Sequence, residues 1–247
     1  MPAISIVNQK GGTGKTTTTI NLSVALSNLS HRVLIVDMDP QGNLGYSFGI
    51  HEGKNLVDVL LGEAEVSESI QEQEGVSIIS SDMRLVDLEL SIAEQEDRHQ
   101  ILHGFLGPLF QSYDYIFFDC PPSLSVLSIN ALYASEYVII PMLMEVLSLQ
   151  GLDQIIDTID KVKNGFSTDL QILGILAVMV DQRRKLTDEV RQHIKDHYDV
   201  PIFSSFIRNN VKASEAPSFG KSVISYAATS NSSKDYQSFA KELSELI

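Results

Sequence analysis

Eight consecutive residues near the start of the chain, Lys10-Gly11-Gly12-Thr13-Gly14-Lys15-Thr16-Thr17, have the types and spacing needed to hold a polyphosphate. Glycines let backbone N–H groups turn inward around phosphate oxygens, because no Cβ blocks the approach. Lys15 would reach the β and γ phosphates, and the Thr16 hydroxyl would ligate the accompanying Mg²⁺. The general pattern for such a loop, G-x-x-x-x-G-K-[ST], asks for glycine at position 9. This chain has Gln9 there and a second lysine, Lys10, opening the loop.

A phosphate loop works only between a strand that delivers it and a helix that follows. Ile4-Ser-Ile-Val7 reads as a buried strand, and Ile20, Val24 and Ala25 have helical spacing in the segment after the loop. The helix start adds unpaired N–H donors and the positive end of a dipole. Two carboxylates end further strand-like runs. Arg32-Val-Leu-Ile-Val-Asp37 leads into Met38-Asp39-Pro40-Gln41-Gly42-Asn43, and Tyr113-Asp-Tyr-Ile-Phe-Phe-Asp119 leads into Cys120-Pro121-Pro122-Ser123-Leu124. Ligand chemistry in open α/β sheets gathers at such carboxyl ends. Asp119 would hold Mg²⁺ directly or through water. Asp39 could position an attacking water or support the Mg²⁺ shell, or it could cap a proline turn; its own residues leave both readings open. The prolines after Asp119 fix a turn that reaches back to the γ-phosphate.

The remaining pattern supplies the frame. Residues 44–75 read as loop and short helices, with Asn55 to Leu61 one of them and Glu63 to Glu74 an acidic, solvated surface. Val76 to Ser80, Tyr137 to Pro141 and a stretch within Leu170 to Val180 read as strands. Leu85 to Leu90 and the stretch from Ile101 suggest two helices, the second interrupted at Gly107-Pro108. Glu145 to Lys163, Leu186 to His197 and Ser233 to Ile247 read as longer helices, the last burying Tyr236, Phe239, Ala240, Leu243 and Leu246. Strands alternating with helices predict an α/β fold: a single doubly wound, mostly parallel sheet flanked by helices, with residues 1–247 as one domain.

Composition narrows the function. No apolar run reaches the ~18–20 residues of a membrane span, and the start of the chain lacks the pattern of a signal peptide. The single cysteine, Cys120, leaves no internal disulfide and fits a reducing cytoplasm. The six histidines show no metal-ligand spacing; His193 and His197, four apart, read as a solvated helix face. A net charge of −14 argues by itself against nucleic acid. Its distribution does not: residues 181–221 carry eight basic side chains against six acidic, and the rest of the chain ten against 26.

The loop resembles the deviant Walker A motif of the ParA/MinD ATPases, K-G-G-x-G-K-[ST]-T. Three more blocks match that family in order. Asp37-Met-Asp39-Pro-Gln-Gly-Asn43 is similar to its switch I, Asp119-Cys-Pro-Pro-Ser-Leu124 to its switch II, and residues 207–221 to I-P-R-N-V-R-L-S-E-A-P-S-x-G-K. The resemblance spans nearly the whole chain and implies a P-loop NTPase using ATP and Mg²⁺. It implies that Gly11 to Thr17 cradle the phosphates, that Thr16, Asp39 and Asp119 serve the metal, and that Asp39 acts in catalysis. It implies that Lys10 reaches across a two-fold interface to the partner's phosphates, in the manner of an arginine finger, so that ATP drives a homodimer. Arg208 and Asn210 fall where the family flanks the adenine, with Arg208 replacing its proline, and Lys212 falls at a position implicated in DNA contact. Arg191 and Lys195 add to that basic segment. The function implied is non-specific DNA binding and partitioning of a chromosome, plasmid or other cargo with a ParB-like activator, in the cytoplasm on the nucleoid. A MinD-like membrane ATPase of division-site placement is the alternative, but the last helix lacks a basic amphipathic face, so no membrane partner is expected. A metabolic relative such as dethiobiotin synthetase would need its own substrate pocket.

Overall fold

The computed structural model describes residues 2–166 and 168–247. In chain order the elements are β1 (Ala3–Ile6), α1 (Lys15–Ser27), β2 (Val33–Asp37), α2 (Asn43–Ser47), α3 (Leu56–Leu60), β3 (Ile70–Gln73) and β4 (Val76–Ile79). These are followed by α4 (Leu85–Ala93), α5 (Ile101–Leu106), β5 (Tyr115–Asp119), α6 (Val126–Tyr133), β6 (Tyr137–Leu143) and α7 (Val146–Phe166). The last are β7 (Gln171–Val180), α8 (Lys185–His197), β8 (Ile202–Arg208), α9 (Val211–Glu215), α10 (Val223–Tyr226) and α11 (Asn231–Leu246).

Continuous runs such as Tyr115-Ile-Phe-Phe-Asp119 are buried on both faces. That pattern demands a parallel sheet covered on both sides. The eight strands form one sheet in the order β3-β4-β2-β5-β1-β6-β7-β8. Every pairing is parallel except β3 with β4. One face packs against α1 and α11 through Ile20, Leu22, Leu26, Tyr236, Phe239 and Leu243. The other packs against α6, α7 and α8 through Leu127, Leu132, Leu152, Ile155, Ile159 and Ile194. After β1 the chain moves outward to β2 and β4, then returns to β5, which lies between β2 and β1; β6 to β8 continue from β1 in the opposite direction. The order reverses around β1, so its carboxyl end opens into a crevice at the switch point.

Two expectations are corrected. Residues 63–74 are not all acidic surface: Val66–Ser69 is a 3₁₀ turn, and Ile70–Gln73 pairs antiparallel with β4 through a hairpin at Glu74-Gly75. The short strand escaped notice because Gln71-Glu72-Gln73 carries its polar side chains at the edge of the sheet. Leu246 is exposed rather than buried, one turn beyond the last residue of α11 that reaches the core, Leu243. The expected interruption at Gly107-Pro108 is present, as a 3₁₀ turn following α5.

At the far side of the sheet, β8 is the edge strand. Glu242 of α11 accepts hydrogen bonds from the backbone N–H groups of Ser204 and Ser205, both at 2.7 Å. Asp235 accepts one from the N–H of Arg208 at 2.9 Å. The register of β7 against β8 also slips: Ala177 lies opposite Phe206 but Val180 opposite Arg208, three steps on one strand against two on the other.

Candidate nucleotide site

The residues that end β1, β5 and β2 stand side by side, Ile6 opposite Asp119 and Asp119 opposite Asp37. The loop leaving β1 is built by its own polar groups. The Asn8 amide donates to the Pro141 carbonyl at 2.7 Å, and its Oδ1 accepts from the Lys10 N–H at 2.9 Å. Thr13 Oγ1 donates to the Lys10 carbonyl at 3.2 Å. Gly12 and Gly14 take left-handed backbone, with φ of 74° and 75°, which only glycine adopts freely. Gly14 is then the N-cap of α1, and Lys15, Thr16 and Thr17 form its first turn.

Lys15 is 8% exposed. Burial lowers its proton affinity, while Asp119, Cys120 and Asp39 act to raise it. Asp119 is buried, and burial pushes its carboxyl up to about 7 against the opposing pull of Thr16 and Lys15. Its Oδ1 accepts from Thr19 Oγ1 at 3.2 Å, whereas Oδ2 is buried with no hydrogen-bond partner among the described residues. Such an oxygen suits a hard cation. Among the described residues no cluster of three or more His, Cys, Asp or Glu side chains could hold a metal alone. That fits Mg²⁺, which takes one or two protein ligands and completes its shell with phosphate oxygens and water.

Asp37 is a site residue that the sequence reading passed over. It is fully buried, and burial together with the nearby Asp119 raises its carboxyl well above the usual range. Its oxygens accept the N–H groups of Asp39 at 3.0 Å and Leu44 at 3.3 Å, fixing the turn between β2 and α2. The signal was available: like Asp119, it closes a buried strand, and the two strands are neighbours. Thr19 and Glu145 were also missed. Neither belongs to a motif, and each meets the site only through folding.

Asp39 lies in the turn that Asp37 holds. Its Oδ1 accepts from the Gln41 N–H at 3.0 Å, so it does cap the proline turn. Its charge also acts on both Lys15 and Asp119, which places the carboxylate at the phosphate loop. Lys10 is 43% exposed in its side chain, and its Nζ leans out to Glu145 Oε2 at 3.4 Å on the connection from β6 to α7.

Beside the loop is a cavity of about 280 Å³ lined by Gly14, Thr17, Met179, Arg208, Asn210 and Tyr236, among others. Arg208 and Asn210 both line this cavity. The Arg208 guanidinium, however, is engaged with Asp235, Nη2 to Oδ1 at 2.5 Å, and Asn210 Oδ1 caps α9 through the Lys212 N–H at 2.9 Å. The three basic residues expected on a DNA face are not on one layer. Arg191 and Lys195 belong to α8, whose Val190 and Ile194 pack on the α6–α7 side. Lys212 belongs to α9, whose Ala213 packs on the α1–α11 side. Arg191 donates to the Phe203 carbonyl at 3.2 Å; Lys212 pairs with Glu215 at 2.8 Å and lies 5.6 Å from the Tyr226 ring centroid.

A glycine loop at the switch point, a buried lysine at its end and a buried carboxylate with one unpartnered oxygen on the next strand define a P-loop nucleotide site. Residues 1–172 match the family model described as AAA domain. The chain is 39% identical over 245 residues to the chromosome partitioning protein ParA of Myxococcus xanthus (strain DK1622), covering 97% of this chain and 87% of that protein. It is 39% identical over 245 residues to the sporulation initiation inhibitor protein Soj of Bacillus subtilis (strain 168), covering 97% of each. Its fold matches that of cobyrinic acid a,c-diamide synthase from Mycobacterium smegmatis with bound ATP analog and magnesium. There the TM-score is 0.86 and the identity 31%, over 99% of this chain and 95% of the other. This chain belongs to the ParA/Soj family of P-loop ATPases.

Proposed function

We propose that this ATPase is a DNA-carried partitioning switch: ATP closes two copies into a dimer, the dimer binds DNA without sequence preference, and hydrolysis releases it. The position of Lys10 carries this reading. The lysine sits at the rim of the loop, its side chain half-exposed and its ammonium in an exposed ion pair with Glu145, and such pairs are weak. It is therefore free to exchange Glu145 for the phosphates of a second subunit, where charge develops during phosphoryl transfer. Lys15, Thr16 and the loop backbone from Gly11 to Thr17 would hold the nucleotide, and Thr16 and Asp119 the metal, with Asp39 supporting the metal shell and the attacking water.

In this reading dimerisation doubles the number of basic side chains offered by Arg191, Lys195 and Lys212. Doubling matters, because each copy carries a net charge of −14. Turnover is slow until a ParB-like activator with a basic segment docks on the acidic remainder of the surface. The protein would then work in the cytoplasm on the nucleoid, moving a chromosome, plasmid or other cargo. Among the described residues no helix is long and apolar enough to cross a membrane.

The decisive experiment is binding of the Asp39→Ala protein to random-sequence duplex DNA with Mg-ATP and with Mg-ADP over a salt series. Binding with ATP alone, falling steeply with salt, is the expected result. A demonstrated ATP dimer that ignores DNA at low salt would overturn the DNA part of the reading.

A further inference from the structure

The irregularity of β7 has a chemical use. Along this strand Ile175 and Ala177 face the α6–α8 layer, and Leu176 and Val178 face the α1–α11 layer. Strict alternation would put Met179 with the first pair and Val180 with the second. Instead Val180 joins Ile175 and Ala177. Met179 is the extra residue of a β-bulge, consistent with the three-against-two register opposite β8. Its backbone is left-handed, φ 52°, a region that non-glycine residues other than Asn and Asp rarely enter.

What the bulge does is turn Met179 out of the sheet and into the cavity beside the phosphate loop. The side chain lines that cavity with Gly14, Thr17, Asn210, Pro217 and Tyr236. It passes directly over the loop: a Cβ built on Gly14 would lie 3.9 Å from Met179 Cε. It is 44% exposed, so its cover is not supplied by protein. Backbone strain at such a position is retained where the surrounding structure uses it. A flexible, polarisable thioether is well suited to lie against an aromatic base.

We propose that Met179 is a nucleoside-contacting residue, held over the phosphate loop by the bulge so that its side chain packs on the base and ribose while the loop takes the phosphates. The proposal rests on the nucleotide reading of the loop.

The test compares Mg-ADP with inorganic pyrophosphate, which has the phosphates without the nucleoside; ADP also avoids any dependence on a dimer. Glycine accepts the left-handed backbone, so Met179→Gly keeps the bulge and removes only the side chain. It is expected to bind Mg-ADP about fivefold more weakly and pyrophosphate as well as the parent does. Met179→Leu, similar in volume, is expected to stay within about twofold for both. Unchanged ADP affinity in Met179→Gly would overturn the proposal, as would an equal loss for pyrophosphate, which would assign the bulge to shaping the loop. Lys15→Ala should lose both ligands. If the parent protein binds neither ligand, the nucleotide reading fails first and takes this proposal with it.

Discussion

At the residue scale, the two lysines of the loop separate cleanly by environment. Lys15 is buried at the start of α1 and Lys10 is half-exposed at the rim. Lys15→Ala should weaken nucleotide binding by about 100-fold or more, as titration calorimetry would report. Lys10→Ala should keep ATP affinity within about twofold and lose the ATP-dependent dimer or its hydrolysis; parent-like behaviour in both would remove the trans role. The buried carboxylate pair gives a pH signature. Burial pushes the Asp119 carboxyl of the folded chain up to about 7, well above the ordinary carboxylate range, and raises Asp37 as well. Between that ordinary range and about 7 the folded state holds protons that the unfolded chain has released. Without ligand, stability should therefore fall as pH rises through this window. Asp119→Asn removes the buried charge, so at pH ~8 the nucleotide-free variant should melt a few degrees above the parent, with the gap closing toward pH ~5. Magnesium-dependent nucleotide affinity should be lost at the same time. The phosphate loop, Asp39 and Asp119 were legible because each sits in a contiguous motif. Asp37 was not recognised, because its role comes from adjacency to Asp119 across two strands 82 residues apart in the chain.

At the element scale, the turn after β2 is built so tightly that any side chain at its glycine is costly. Gly42 has φ 62°, and a Cβ there would lie 2.8 Å from the Ser81 carbonyl oxygen. Gly42→Ala should cost about 2–3 kcal/mol and lower the melting temperature by about 4–8 °C. Because the same turn carries Asp39, hydrolysis should drop beyond what the stability loss explains. A second element-scale feature is the clamp between β8 and α11. Arg208 makes its ion pair to Asp235 from a position where the resemblance calls for proline, and Asp235 is 9% exposed. Arg208→Ala would leave that carboxylate half-satisfied, at a cost of about 2 kcal/mol, less than for a fully buried pair because the guanidinium is partly solvated. Denaturant unfolding of Arg208→Ala and Asp235→Ala would test it. The long apolar and amphipathic runs were readable at this scale, since periods of 3.6 and 2 survive any context. The strand β3 and the bulge at Met179 were not, because both depend on which neighbour a segment pairs with.

At the scale of the whole molecule, one sheet brings the ends of three strands together as a single chemical face, with the phosphate loop, Asp37 and Asp119 on it. A dimer closed over that face would approach twice the monomer mass of 27.3 kDa, and light scattering with ATP against ADP would show it. The remaining edges matter for a different reason. A parallel edge strand normally offers a row of unpaired N–H groups to any passing chain. Here Glu242 and Asp235 reach over from α11 and occupy those of Ser204, Ser205 and Arg208. At the opposite edge, the short and polar β3 is a poor template. The sheet is therefore capped at three positions of β8 by side chains of its own last helix. In the dimer proposed above, contact between copies would then be left to the face where nucleotide governs it, while association through the backbone is hindered at this edge.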